Sequence, residues 1–121
     1  MTKIEKFEDI TAWQEAKELT NDIYRITKER DFFNDFYLRN QIRNASVSIM
    51  ANIAEGFGRR SNKEFINFLN IAHGSAAELQ SHLHVALSQK YITQETFDEL
   101  YKKTEKISKM LQCFMNYLKT L

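Results

Sequence analysis

The stretch SNKEFINFLNIAHGSAAELQSHLHVA, residues 61–86, decides the fold. Phe65, Leu69, Ala72, Ala76, Leu79, Leu83 and Ala86 recur at steps of three and four. That spacing describes a helix that buries one side, and its heptad-like regularity describes helices packed alongside one another. Ser61-Asn62-Lys63-Glu64 is a capping box, with Ser61 as N-cap and Glu64 reaching back to its amide. The helix then runs to about Gln89. Gly74, in mid-helix, costs about 1 kcal/mol against alanine, which predicts a place where another backbone comes close.

Upstream, a first helix begins near Asp9 or Thr11, either of which can cap it. Its stripe is Ile10, Trp13, Ala16, Leu19, Ile23 and Ile26. It is expected to end near Glu29 or Arg30, before a loop over Asp31–Asp35. A second helix starts after Asp35 and runs to about Phe57, stopped by Gly56 and Gly58. Leu38, Ile42, Ala45, Ile49 and Ile53 form its main stripe, and Ser46, Met50, Ala54 and Phe57 a second one. Downstream, Thr93 can cap a last helix that lasts nearly to Leu121. Its stripe is Phe97, Leu100, Thr104, Ile107, Leu111, Phe114, Leu118 and Leu121. Strand-like alternation is missing. Short connections between long helices favour antiparallel neighbours. The reading is therefore all-α, an antiparallel up-down-up-down four-helix bundle forming one domain over residues 1–121.

Composition agrees. The chain has 121 residues, 43% hydrophobic and 27% charged, with no proline and three glycines, which excludes disordered and collagen-like chains. A single cysteine, Cys113, allows no intrachain disulfide. The start, Met1 to Asp9, has no apolar stretch of signal-peptide length, and no run approaches the ~18 apolar residues of a membrane span. A cytoplasmic protein without membrane partners is expected.

No catalytic constellation stands out. His73, His82 and His84 all fall in the third helix, and none follows a glutamate by three as bundle metal sites require. Glu78 and His82, four apart, read as a surface pair. Cys113 has no adjacent base to activate it and reads as a small apolar filler. No metal, no cofactor and no enzymatic activity are expected.

The net charge is only +1, but the cations are unevenly spread. Residues 36–63 hold Arg39, Arg43, Arg59, Arg60 and Lys63 against Glu55 alone, and residues 100–121 hold Lys102, Lys103, Lys106, Lys109 and Lys119 against Glu105 alone. Such clusters suit phosphate binding; solvated faces are the plainer alternative. Arg39, Arg43, Arg59, Arg60 and Lys63 are the candidate nucleic-acid contacts. The two stripes of the second helix are together wider than one core needs. Met50, Ala54 and Phe57 are accordingly candidates for an oligomer interface, and Met110, Cys113, Met115 and Tyr117 widen the last helix in the same way.

Asn52-Ile53-Ala54-Glu55-Gly56-Phe57-Gly58-Arg59, with Ser61-x-x-Glu64-Phe65 and Gly74-Ser75-Ala76-Ala77-Glu78-Leu79, resembles the 23S ribosomal RNA intervening-sequence proteins. Phe7-Glu8-Asp9-Ile10 with Trp13, and Leu38-x-x-Gln41-Ile42-Arg43, look like that family's openings of helices one and two. Where the family often has a proline before its second helix, Asn34 or Asp35 stands here. The resemblance implies a four-helix bundle, a ring-like homopentamer and no established enzymatic activity. It also implies kinship with the accessory proteins of diversity-generating retroelements, which bind nucleic acid and a reverse transcriptase. Partners are then a second copy of the chain, RNA or DNA, and, as the alternative, another protein such as a polymerase. The motif residues Asn52, Glu55, Ser75 and Glu78 become candidates for holding helix two against helix three, or one subunit against another. Glu55 and Arg59 stand in the favourable order for an ion pair.

Overall fold

The computed structural model describes residues 3–121; Met1 and Thr2, which begin the polar start read above, lie outside the described residues. Among those described the protein is all-α, with five helices and no strand. A single 3-10 turn, Phe7–Asp9, leads into α1 (Thr11–Ile26); α2 (Arg30–Asn34), α3 (Phe36–Phe57), α4 (Asn62–Ser88) and α5 (Gln94–Lys119) follow. No helix among them is long and apolar enough to cross a membrane.

Helix ends follow the side chains available to satisfy unpaired backbone groups. Ser61 Oγ accepts the Glu64 amide at 3.2 Å and Thr93 Oγ1 the Thr96 amide at 3.1 Å, as the sequence predicts. Glu64 does not reach back to the Ser61 amide; the Ser61 hydroxyl donates to its carboxylate instead. Asp35 Oδ1 caps α3 by accepting the Leu38 amide. Neither Asp9 nor Thr11 caps α1, whose N-cap is Ile10 without a side-chain bond. Asp9 is already engaged, its carboxylate accepting the amides of Glu5 and Lys6.

Three expectations change. α1 ends at Ile26, not at Glu29 or Arg30, because the buried Thr27 hydroxyl donates to the carbonyls of Ile23 and Tyr24 and closes the last turn. The segment expected as a loop from Asp31 is the short helix α2, held by Phe32, which is fully buried and stacked on Tyr91 with ring centroids 5.0 Å apart. Gly74 meets no other backbone: a Cβ built there has nothing within 4 Å. The close approach is at Gly56, where a Cβ would lie 2.8 Å from both Phe65 Cδ1 and Phe68 Cβ. Gly56 therefore lets α3 and α4 meet, while Gly58 closes α3 in ordinary right-handed geometry. Two residues past the end of α4 stands Lys90, the one non-glycine residue with a positive φ, 62°, among the described residues. The Lys90 and Tyr91 amides return to Leu87 and Ala86 carbonyls across it.

One buried apolar cluster draws on every helix, from Ile10 through Ile49, Leu79 and Ile107 to Leu118. α1 packs on α3 and α5, and α4 packs on the same two. Across each seam the residue order reverses: Thr20 meets Ser46 while Thr27 meets Arg43. Gly56 faces Phe65 while Ser48 meets Ser75. Phe65 meets Phe114 while His84 meets Phe97, and Glu15 meets Lys106 while Asp22 meets Lys103. Leu121, expected in the last helix's stripe, lies beyond it and is exposed.

Candidate nucleic-acid interface

The five candidate cations do not form one patch. Arg43 and the end of α3 at Phe57 stand fourteen residues apart, about 21 Å at 1.5 Å per residue. At the far end Arg39 and Arg43 are employed by the fold. Arg43 Nε donates to Thr27 Oγ1 at 2.8 Å, and its guanidinium lies 4.5 Å from the Tyr24 ring centroid. It thus sits on the C-terminus of α1, where a cation is stabilised by the helix dipole. Arg39 donates from Nη1 to the Phe33 carbonyl in α2 and packs over Phe33 and Phe36, 4.5 and 4.9 Å from the centroids. These two arginines hold helix ends together.

The near end is different. Arg59, Arg60 and Ser61 are exposed on the turn between α3 and α4, and Lys63 is exposed on the first turn of α4. Arg59 Nη2 is 2.7 Å from Glu55 Oε1, and its guanidinium covers Phe68 at 4.7 Å. Arg60 and Lys63 have no ion-pair partner among the described residues. Beside them opens a cleft of about 310 Å³, lined by Phe57, Phe65, Phe114 and Tyr117 with Arg59, Arg60, Ser61 and Asn62. It shares Ile4, Phe114 and Tyr117 with a second, more apolar cleft of about 680 Å³ that runs past Met110 and Cys113 to Lys3 and Asp9. Asp9 is the acid lining the second cleft, and no carboxylate lines the first. The hydrogen bond from the Glu5 amide holds the Asp9 carboxyl below the usual carboxylate range; desolvation opposes this, and Lys6 assists through its amide and its charge.

The polar motif residues divide. Asn52 Nδ2 donates to the Ser48 carbonyl and hydroxyl oxygens, and Ser48 Oγ shares a 2.9 Å hydrogen bond with Ser75 Oγ. Asn52 and Ser75 therefore belong to one network joining α3 to α4. Ser48, its centre, went unsingled in the sequence; the available signal was its place four residues before Asn52, one helical turn. Glu55 is exposed and spent on Arg59, while Glu78 is exposed and forms no side-chain hydrogen bond or ion pair among the described residues. It does not pair with His82, whose Nε2 is buried without a partner among the described residues. No group of three or more His, Cys, Asp or Glu side chains converges there either.

Met50, Ala54 and Phe57, the candidate interface residues, are half-buried within the protomer, with Met50 and Phe57 packed against the core. The Ser46 end of their stripe is covered by α1 through the Thr20 hydroxyl. The outward line of α3 is instead Tyr37, Asn40, Asn44, Val47, Ala51 and Glu55. Met115 is likewise buried, whereas Cys113 and Tyr117 are exposed.

Fold and site together define an all-helical protein whose exposed arginine turn flanks an aromatic cleft. The chain belongs to the 23S rRNA-intervening sequence protein family, whose pattern matches residues 8–113. It is similar to the crystal structure of a protein of unknown function from the S23 ribosomal protein family of Bacteroides thetaiotaomicron. The two are 28% identical and superpose with a TM-score of 0.79, covering 87% of this chain and 98% of that one. Among curated proteins none matches this chain.

Proposed function

We propose that the protein is a non-enzymatic homo-oligomer, a pentamer of antiparallel up-down-up-down four-helix bundles. Its role is that of a cytoplasmic scaffold or accessory to ribosomal RNA or another nucleic acid. The reversed residue order across all four seams supports the bundle topology. The observation that carries the self-association is the charge-poor outside of α3 and α4. Over 22 residues α3 bears only Arg39, Arg43 and Glu55, and over 27 residues α4 bears only Lys63, Glu64 and Glu78. Its outward residues include Val47, Ala51, Ile71, Ala77 and Val85, and depletion of charge marks the centre of protein interfaces. α1 and α5, by contrast, carry charges in nearly every turn.

Light scattering at micromolar concentration tests this, with a mass near five times the 14.3 kDa protomer expected. Val47→Glu with Ile71→Glu should return the single-protomer mass. A wild-type protein that is already monomeric overturns the oligomer. The nucleic-acid part rests on Arg59, Arg60 and Lys63. Retardation of structured RNA at moderate salt is expected, and replacing all three with glutamine should abolish it. The same charge-poor face supports a second reading, a protein-interaction module for a partner such as a polymerase or reverse transcriptase. A monomer that captures protein without nucleic acid would favour it.

A further inference from the structure

We propose that the cleft beside Arg60 receives an unpaired nucleobase, so that the preferred ligand is a single-stranded stretch of nucleic acid rather than a duplex. This rests on the nucleic-acid reading of the arginine turn and specifies what that turn holds.

The aromatic lining carries the argument. Phe65 stands between Phe57 and Phe114 and meets both edge-on, with centroids 6.2 and 5.1 Å away. Tyr117 joins no aromatic pair among the described residues and is 58% exposed. Its ring is therefore free to take a flat partner. A cleft of about 310 Å³ lies at the small end of the range for ligand pockets, roughly 300–1,000 Å³. It suits one base and excludes a base-paired helix. Stacking on aromatic side chains beside a cationic groove is how proteins hold single strands, because every base offers a π-face.

Charge selects the ligand further. No carboxylate lines this cleft, and Arg59 and Arg60 stand on its rim. Asp9, the acid of the adjoining cleft, already accepts two backbone amides. An apolar cleft with only cations at its edge disfavours a cationic peptide and suits a ligand that joins flat apolar rings to phosphates. The adjoining cleft past Met110 leads on toward Lys3, which gives the strand room to continue. Free mononucleotide and strand share this chemistry, and the arms of the test separate them.

The full-length chain is titrated by fluorescence anisotropy with a labelled U12 oligonucleotide, a blunt RNA duplex of twelve base pairs, and UMP as competitor. U12 should bind at least about tenfold more tightly than the duplex, and UMP should compete poorly. Tyr117→Ala should weaken U12 by about five- to hundredfold while leaving duplex binding unchanged, and Tyr117→Phe should restore it. Equal affinity for strand and duplex, or U12 affinity indifferent to Tyr117→Ala, overturns the base pocket while leaving the arginine turn as a phosphate contact. Binding of neither nucleic acid overturns both readings. UMP competing as well as U12 overturns the strand in favour of a free nucleotide.

Discussion

The seam between α1 and α5 and the seam between α3 and α4 hold the same all-helical fold by opposite means. Across the first, Lys103 Nζ lies 2.7 Å from Asp22 Oδ2 and Lys106 Nζ 2.9 Å from Glu15 Oε1. Across the second no ion pair forms among the described residues; Gly56 removes a side chain, and Ser48, Ser75 and Asn52 share short polar contacts. Long charged side chains tolerate small shifts of the helices, whereas a missing Cβ does not. The charged seam leaves charge on its outer surface, and the close-packed seam leaves almost none. The contrast sets a seam fixed by close backbone approach against one fixed by reaching charges, and leaves the outside of α3 and α4 poor in charge.

The sharpest way to break the contrast is Gly56→Ala. The new methyl would press on Phe68 Cβ, which is fixed to the α4 backbone and cannot swing away. Overpacking of this kind costs about 1–3 kcal/mol, and the gain in helix propensity returns about 1 of it. A net loss of up to about 2 kcal/mol in urea unfolding is expected. A variant more stable than the wild type would mean that the helices are free to move apart.

Asp22→Asn tests the other seam and should cost about 1–2 kcal/mol at pH 7. Burial pushes the Asp22 carboxyl up, but the hydrogen bonds and charges of Lys103 and Arg25 outweigh it and hold the group below 3.8. Its contribution is therefore full above that pH and fades as pH falls through the lower folded value. The hydrogen bond to Asp22 raises Lys103 above 10.5 against the opposing effect of burial. That contribution is full below 10.5 and fades as pH rises through the folded value. The difference between variant and wild type should thus be constant near neutrality and shrink below pH 4. A gap that persists unchanged at pH 2 would show that Asp22 acts by shape.

The long helices were legible because period and caps are local. Ser61 and Thr93 begin helices where their side chains say they can. What was missed lies in partners far along the chain. Phe32 looks like a loop residue until Tyr91 stacks on it, and Thr27 gives no sign that its hydroxyl will close α1. The two glycines could not be told apart locally, since the difference is whether Phe65 and Phe68 stand opposite. Arg39 and Arg43 look as available as Arg59 and Arg60 because sequence counts charge and not what a guanidinium already touches. Tyr117 stood out only as extra width on the last helix; its place beside Arg60 depends on the path of α5.

Gly74→Ala should act in the opposite direction to Gly56→Ala. With open space around it, the methyl should stabilise the protomer by up to about 1 kcal/mol through helix propensity. Measured on the monomeric Val47→Glu, Ile71→Glu background, that gain reports on the protomer alone. In the assembled protein a neighbouring subunit close to Gly74 would cancel it, so a gain present in one background and absent in the other would put Gly74 inside the interface.

The smallest effect discriminates most finely. Glu55 and Arg59 are 55% and 41% exposed, and an exposed pair at this spacing contributes only about 0.3–0.5 kcal/mol. Glu55→Gln should therefore change protomer stability by no more than that, and 0.5 M salt should erase the difference by screening. Glu55 also stands at the end of the outward line Tyr37, Asn44, Val47 and Ala51, on the face proposed to meet another copy. If a neighbouring subunit covers it there, the same substitution leaves Arg59 without its partner in a desolvated boundary, where the loss rises to about 3–5 kcal/mol and resists salt. A concentration-dependent unfolding midpoint that drops steeply in Glu55→Gln would place the ion pair inside the assembly. A salt-sensitive loss of a few tenths, independent of concentration, would leave it on the open surface beside the arginine turn.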